Sequence, residues 1–269
     1  MQKGVYQAVK KDGTIYYRSS ITYRNKHISL GSFLNEADAH AAYLEAEKIL
    51  TDPGISLEHK LFHPKMLNFE KVVTLVNFRD NRIYIKTPIY LHHNYFSYYL
   101  SAKEEYKFDI DDLFFYSSHK IIKRGGHLFV NEYGMQTTIL SRYGIRSFAV
   151  NGRDYTFING DQTDYRYSNI LLVNRYYGVT SSVRNGKPCF EVRLHINGNY
   201  IVGIYDSEIT AAIAYNKAVD TAIAHGIIRN YAENYILDLS AKEYASIYSE
   251  LKLSKKFLQY ISEYNQTDS

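Results

Sequence analysis

Residues 178–218 read GVTSSVRNGKPCFEVRLHINGNYIVGIYDSEITAAIAYNKA, and residues 4–46 read GVYQAVKKDGTIYYRSSITYRNKHISLGSFLNEADAHAAYLEA. The two stretches are copies of one pattern. Gly4 aligns with Gly178, Tyr17 with Phe190, Ile21 with Leu194, Gly31 with Gly203 and Phe33 with Tyr205. Beyond them Glu36, Ala39, Ala42, Tyr43 and Ala46 fall without a gap on Glu208, Ala211, Ala214, Tyr215 and Ala218.

Each copy has the marks of three short strands followed by a helix. In the second, Phe190, Val192, Leu194 and Ile196 alternate with Glu191, Arg193 and His195, so a period of two buries one face and exposes the other. Asn197-Gly198 supplies the residues a tight hairpin favours. After Tyr205 the period changes to that of a helix: Ala211, Ala214, Tyr215 and Ala218 share one stripe, with Asp206 or Ser207 as its cap. Small alanines let the helix lie close against one face of the sheet, which leaves the other face free.

Charge is distributed unevenly over these elements. Residues 1–33 carry Lys3, Lys10, Lys11, Arg18, Arg24 and Lys26 against Asp12, a net +5, whereas residues 34–50 carry Lys48 against Glu36, Asp38, Glu45 and Glu47, a net −3. Residues 175–205 hold Arg175, Arg184, Lys187 and Arg193 against Glu191, a net +3. A basic sheet backed by an acidic helix suits a polyanion, and a twisted antiparallel sheet can enter the DNA major groove. The sequence therefore predicts that Arg18, Ser20, Thr22 and Arg24 reach base edges from the first sheet and Glu191, Arg193 and His195 from the second. Lys10, Lys26, Arg184 and Lys187 are expected on phosphates.

The run Gly-Val, aromatic-x-small-x-aliphatic, Leu-Gly-x-Phe and Glu-x-x-Ala-x-x-Ala-Tyr resembles the plant ethylene-response-factor (apetala-type) DNA-binding domain, which implies a three-stranded sheet with one packed helix. Such domains usually carry tryptophan where this chain has Tyr17 and Phe190, and Leu30-Gly31 becomes Val202-Gly203 in the second copy.

Between the copies, residues 51–70 read as a linker that opens on the turn signal Thr51-Asp52-Pro53-Gly54. A middle unit is expected over 71–177, with strands at 82–90, 121–131 and 134–140 and a helix starting near Asp111. Asp109, Asp111 and Asp112 read as a helix-start cluster rather than a metal site. His92-His93 reads as structural, because neighbours on a strand point to opposite faces. The unit ends in Tyr155-Thr156-Phe157-Ile158-Asn159-Gly160-Asp161 and then Asp164-Tyr165-Arg166-Tyr167-Ser168-Asn169-Ile170. This resembles the HNH nuclease motif of phage and homing endonucleases, and the upstream run 134–142 resembles the strand that precedes it. Members of that family often carry a DNA-binding module of the kind described above directly after the nuclease unit.

HNH chemistry needs a histidine base to activate water and a divalent cation held by acidic, Asn or His ligands. By the resemblance, Phe157 stands in the place of the base, Thr156 in that of the preceding ligand and Gly178, nine residues beyond Asn169, in that of the last ligand. Only Asn169 survives, so no catalysis and no cofactor are expected. Asn169 joins Arg142, Arg166 and Arg175 as candidate DNA contacts of a nuclease-derived scaffold.

The wider bounds agree with a folded DNA-binding chain. At 269 residues and 45% hydrophobic content it can hold several compact units, and a net charge of +4 permits a polyanion partner without requiring one. One cysteine, Cys189, excludes an internal disulfide. The 28 tyrosines fall mostly at core-like positions, which favours packing over single-strand stacking. Ser240 and Glu243 form a capping-box pattern, and Tyr244, Ile247, Tyr248 and Leu251, then Phe257, Tyr260, Ile261 and Tyr264, make two helical stripes. They are expected to dock on the chain itself, with a homodimer contact as the alternative. The full expectation is an α+β chain: apetala-type modules at 1–50 and 178–230, a degenerate HNH, ββα-like unit at 71–177 and C-terminal helices at 237–269. It is expected to be a double-stranded DNA regulator of phage or mobile-element origin, without membrane contact, in the bacterial cytoplasm and associated with the nucleoid. The alternatives are an active HNH endonuclease and a phage inhibitor of a host nucleic-acid-handling enzyme.

Overall fold

The computed structural model describes residues 1–57, 64–132, 134–147 and 149–264. These form an α+β protein of small three-stranded antiparallel sheets and six α-helices, none of them long and apolar enough to cross a membrane. Two compact units emerge, Met1–Ile139 with Asp161–Asn169, and Leu140–Gly160 with Ile170–Ser269. The stretch 71–177 is divided between them.

In the first unit β1 (Val5–Val9), β2 (Ile15–Tyr23) and β3 (Lys26–Phe33) pair in that order. Arg24 and Asn25 join β2 to β3 with φ of 46° and 62°, the left-handed pair a two-residue hairpin needs. Asn35 caps α1 (Glu36–Thr51) by accepting from the Asp38 N–H at 2.8 Å. Ala39, Ala42 and Ala46 are fully buried, which brings α1 down onto Ile21, Ile28 and Leu30.

Residues 51–70, expected as a linker, are held fast where they are described; 58–63 lie outside the described residues. The Glu45 carboxylate accepts from the N–H groups of Lys65, Met66 and Leu67, and the buried Arg79 guanidinium donates to the carbonyls of Ile49, Asp52 and Ile55. Arg79 belongs to α2 (Phe69–Asn81), a helix the sequence reading missed. Val72 through Phe78 are buried at every position, so no polar face gives the 3.6-residue period away. The strand expected at 82–90 shrinks to β4 (Ile89–Leu91), because Arg82 takes φ 63° to end α2.

β4 pairs with β5 (Tyr95–Ser101) and β5 with β6 (Glu104–Asp109); neither β5 nor β6 was expected. A 3-10 turn, Ile110–Asp112, leads into α3 (Leu113–Ser118), close to the helix start expected near Asp111. The strand expected at 121–131 folds back at Gly125-Gly126 into β7 (Ile121–Arg124) and β8 (His127–Glu132), followed by β9 (Met135–Thr138).

In the second unit β10 (Tyr155–Phe157) and β11 (Ile170–Leu172) make a two-stranded pair, and the chain passes through 173–178 into the next strand without a helix. β12 (Val179–Arg184), β13 (Lys187–His195) and β14 (Asn199–Tyr205) form the second sheet under α4 (Glu208–Ala224). α5 (Ala241–Glu250) opens with the expected capping box. α6 (Lys255–Tyr264) buries Phe257 and Ile261 among Val192, Leu194 and Val202. Phe257 and Ile261 are thus covered by their own unit, as expected of that stripe.

The two sheets repeat one another beyond their strand order. Tyr17 faces Phe33 and Ser19 faces Gly31, then the register slips so that Ser20 faces Ser29. Phe190 faces Tyr205 and Val192 faces Gly203, then the register slips so that Arg193 faces Ile201. The bulge thus falls at the aligned position, passing over Leu30 in one copy and Val202 in the other. Gly4 and Gly178 repeat too, with φ of 78° and 68°. The Gly4 carbonyl accepts from Ser20 N–H at 3.0 Å and the Gly178 carbonyl from Arg193 N–H at 2.8 Å. A Cβ at Gly4 would meet the Tyr43 ring at 2.0 Å, and one at Gly178 the Tyr215 ring at 2.2 Å.

Gly178→Ala should therefore combine left-handed strain with overpacking, a loss of about 2–5 kcal/mol. Gly13→Ala, at φ 84° with open space around it, should lose only the strain, about 1–2 kcal/mol. Urea midpoints of the two variants would separate these costs, and equal losses would mean that the Tyr215 ring and the Arg193 carbonyl, 2.5 Å from such a Cβ, both give way freely.

Candidate nucleic-acid interface

Residues opposite one another in a sheet share a face, so the outer row of the first sheet holds Tyr6, Arg18 and Ser32, then Ser20 and Ser29, then Thr22 and His27. Arg18 is held in place there, its Nε and one terminal nitrogen donating to the Tyr16 hydroxyl at 3.1 and 2.7 Å. Thr22 is exposed, but Ser20 is only 7% exposed and is removed from the candidate contacts. Arg24 sits in the turn beyond the row, its guanidinium 5.4 Å from the centre of the Tyr23 ring. Lys10 is exposed past the end of β1, and Lys26 extends over Tyr84 at 5.3 Å.

On the second sheet the outer row holds Thr180, Glu191 and Ile204, then Arg193 and Ile201, then His195 and Asn199, with Arg184 facing Lys187 at the hairpin end. Arg193 Nε donates to Glu191 Oε1 at 2.5 Å, so Glu191 orients Arg193 on the outer row. His195 Nδ1 and Asn199 Oδ1 lie 3.0 Å apart. Cys189 is a buried free thiol within β13.

The candidates taken from the nuclease-like motif are placed differently. Asn169 is 5% exposed, and its Nδ2 donates to the Asp164 carbonyl at 2.8 Å, so it fastens its own loop. Arg166 forms a two-pronged pair with the buried Asp164 carboxylate at 2.8 and 2.6 Å. Arg142 and Arg175 are exposed; Arg175 lies 3.4 Å from Asp238. Phe157 is buried at 7% exposure and pairs with Ile170, and Gly178 is the glycine under Tyr215. Asp109 accepts from the Tyr167 N–H at 2.6 Å, and the His92 ring stacks on Tyr95 at 4.2 Å.

A further group of residues escaped the sequence reading. Asp154 is fully buried, with Oδ1 accepting from Arg146 at 2.6 Å and Oδ2 from Arg153 at 2.8 Å and from the Val150 N–H at 2.8 Å. The Asp154 carbonyl accepts from the N–H groups of Val173 and Asn174, and Asn174 Oδ1 accepts from Ser181 N–H at 2.7 Å, which ties the 150–154 turn to β12. Asn234 clasps Tyr177, accepting from its N–H at 2.7 Å and donating to its carbonyl at 3.1 Å.

Two hollows of about 450 and 430 Å³ share Arg146, Arg153, Tyr177, Gly178, Tyr215 and Tyr231, and the first also takes in Glu191, Arg193, His195 and Asn199 of the sheet's outer row. Burial pushes the Tyr215 phenol up to about 12, so it is neutral at physiological pH. The only sequence sign of this group is the adjacent pair Arg153-Asp154; nothing in the spacing shows that Arg146 joins it.

Burial alone would raise the Asp154 pKa, but hydrogen bonds from Arg153 and Val150 and the nearby Arg146 charge outweigh it and hold the carboxyl below its ordinary value. Its folded pKa lies below the unfolded value near 3.9, so its stabilisation is present above about pH 4 and is lost as pH falls through the folded pKa. Asp154→Asn should lower stability at pH 7 by about 3–5 kcal/mol, leaving the buried Arg146 guanidinium without its anion. It should also flatten the acid limb of the stability curve; denaturant titrations between about pH 2 and 7 check both effects. An acid limb as steep as the parent's would show that Asp154 does not govern it.

Comparison with known protein families, with curated proteins and with solved structures finds no match for this chain.

Proposed function

We propose that the chain is a sequence-specific double-stranded DNA-binding protein that works through its two sheet-and-helix modules and does not cleave what it binds. The observation that carries this reading is that the middle strand of each sheet turns polar side chains outward around the same bulge, Arg18 and Thr22 in one and Arg193 and His195 in the other. Arg18, Thr22 and His27 would meet one segment of major groove, and Arg193, His195 and Asn199 another. Lys10, Lys26, Arg184 and Lys187 would lie against phosphates and set the salt dependence. One small sheet offers limited surface, so joining two in one chain raises affinity through effective concentration.

A regulator descended from an HNH endonuclease of a phage or mobile element accounts for the motif at 155–170. Phe157 supports the loss of cleavage, since a buried phenyl ring cannot take a proton from water. Selection from a random duplex library should return a two-part site. Arg18→Ala and Arg193→Ala should each weaken binding to it about 5- to 100-fold, whereas Ser20→Ala should change it less than about twofold. The selected duplex should survive incubation with Mg²⁺ or Mn²⁺. Cutting would restore the endonuclease reading, and a library without enrichment would direct attention to a protein partner, as an inhibitor of a host nucleic-acid-handling enzyme requires.

A further inference from the structure

The Arg146 side chain is only 11% exposed and spends one terminal nitrogen on Asp154, while the other, Nη1, is buried with no hydrogen-bond partner. A buried charged donor left unsatisfied is costly, and in folded proteins such a group is explained by strain, a functional role, or a bound water or ion. Arg146 lines both hollows of the second unit, its guanidinium 5.4 Å from the centre of the Tyr177 ring. Arg153, whose side chain is 56% exposed, and Arg193 line the same hollow. Three guanidinium groups face two carboxylates there, Asp154 and Glu191, which leaves a surplus positive charge beside His195. The Asp154 oxygens are already filled by Arg146, Arg153 and the Val150 N–H, so the carboxylate sets the two arginines in position instead of occupying the hollow.

We propose that this cleft is a phosphate site, with Arg146 as its buried anchor and Arg153 and Arg193 closing on a phosphate mono- or diester. Several guanidinium forks converging on one space suit a tetrahedral anion with three or four oxygens, which can engage more than one fork at once. The cleft shares Thr180, Glu191, Arg193, His195 and Asn199 with the outer row of the second sheet. A duplex lying on that row would bring a backbone phosphate to Arg146. That assignment of the phosphate to a duplex rests on the DNA-binding reading, whereas the anion site rests on the cleft alone.

The test titrates inorganic phosphate into the full chain at ionic strength held constant with sodium chloride, following the arginine Nε–H signals by NMR. Arg146→Lys keeps a cation for Asp154 but loses the spare fork, and Arg153→Gln changes a more exposed side chain, so it serves if the first variant fails to fold. Phosphate should move the Arg146 and Arg153 signals, and its affinity should fall at least about fivefold in either folded variant. A response no greater than that to chloride, or equal affinity in parent and variants, overturns the site.

A second arm adds the selected duplex. If duplex and phosphate compete and Arg153→Gln lowers the salt slope by about one, the ligand is a backbone phosphate. If phosphate binds and no duplex does, the cleft holds a free phosphate ester, and the site stands while the DNA reading falls. If duplex binds equally well to parent and variants with no response to phosphate, the DNA reading stands and the cleft proposal falls.

Discussion

The Tyr215 ring occupies the space into which any side chain at position 178 would project, and the Tyr43 ring does the same at position 4. Each tyrosine lies on the buried stripe of its helix, so the contact fixes how far that helix stands from the first strand of its sheet. Each glycine carbonyl in turn receives the N–H of the residue just past the register slip, Ser20 or Arg193. The bulge is thereby pinned from the side of the first strand, and a bulge decides where the middle strand's outward side chains are aimed. Helix packing, strand entry and the direction of the exposed row thus follow from one ring lying over one glycine.

Buried polar groups do for the connections what this contact does for the modules. Arg79 gathers three carbonyls and Glu45 three amide N–H groups, which converts what reads as a linker into part of a core. Asp154 and Asn234 do the same in the second unit, holding the 150–154 turn and Tyr177 by main-chain as well as side-chain bonds. Each satisfies backbone groups that the irregular chain would otherwise leave unpaired. In the second unit this also places Arg146 and Arg153 in the same hollow as the sheet's outward row.

The repeated modules were legible in the sequence because their signals are local: alternation along 190–196, Asn197-Gly198, and alanines at helical spacing in both copies. α2 was not, since seven successive buried residues carry no period. The run 121–131 concealed its turn, because a glycine pair among strand residues reads equally as a break or as a flexible strand. Within the candidate interface the alternation assigned Arg18, Thr22, Arg193 and His195 to the outer row. It gave no warning that Ser20 is enclosed or that Asn169 is spent on its own loop. The arginine cleft was invisible because Asp154 joins Arg146 and Arg153 within an irregular turn, whereas Arg193, paired with Glu191, enters the same hollow from a strand far along the chain.

Matching registers in two sheets of one polypeptide also carry a hazard during folding. Strands that share spacing and bulge are near-interchangeable partners, and the tether keeps them at high mutual concentration while both are incomplete. Discrimination must then come from side chains: Ile28 and Leu30 in one third strand stand where Tyr200 and Val202 stand in the other. The divergence of the two copies therefore has a physical benefit of its own. A third strand exchanged between modules would have to seat Tyr200 where Ile28 is fully buried.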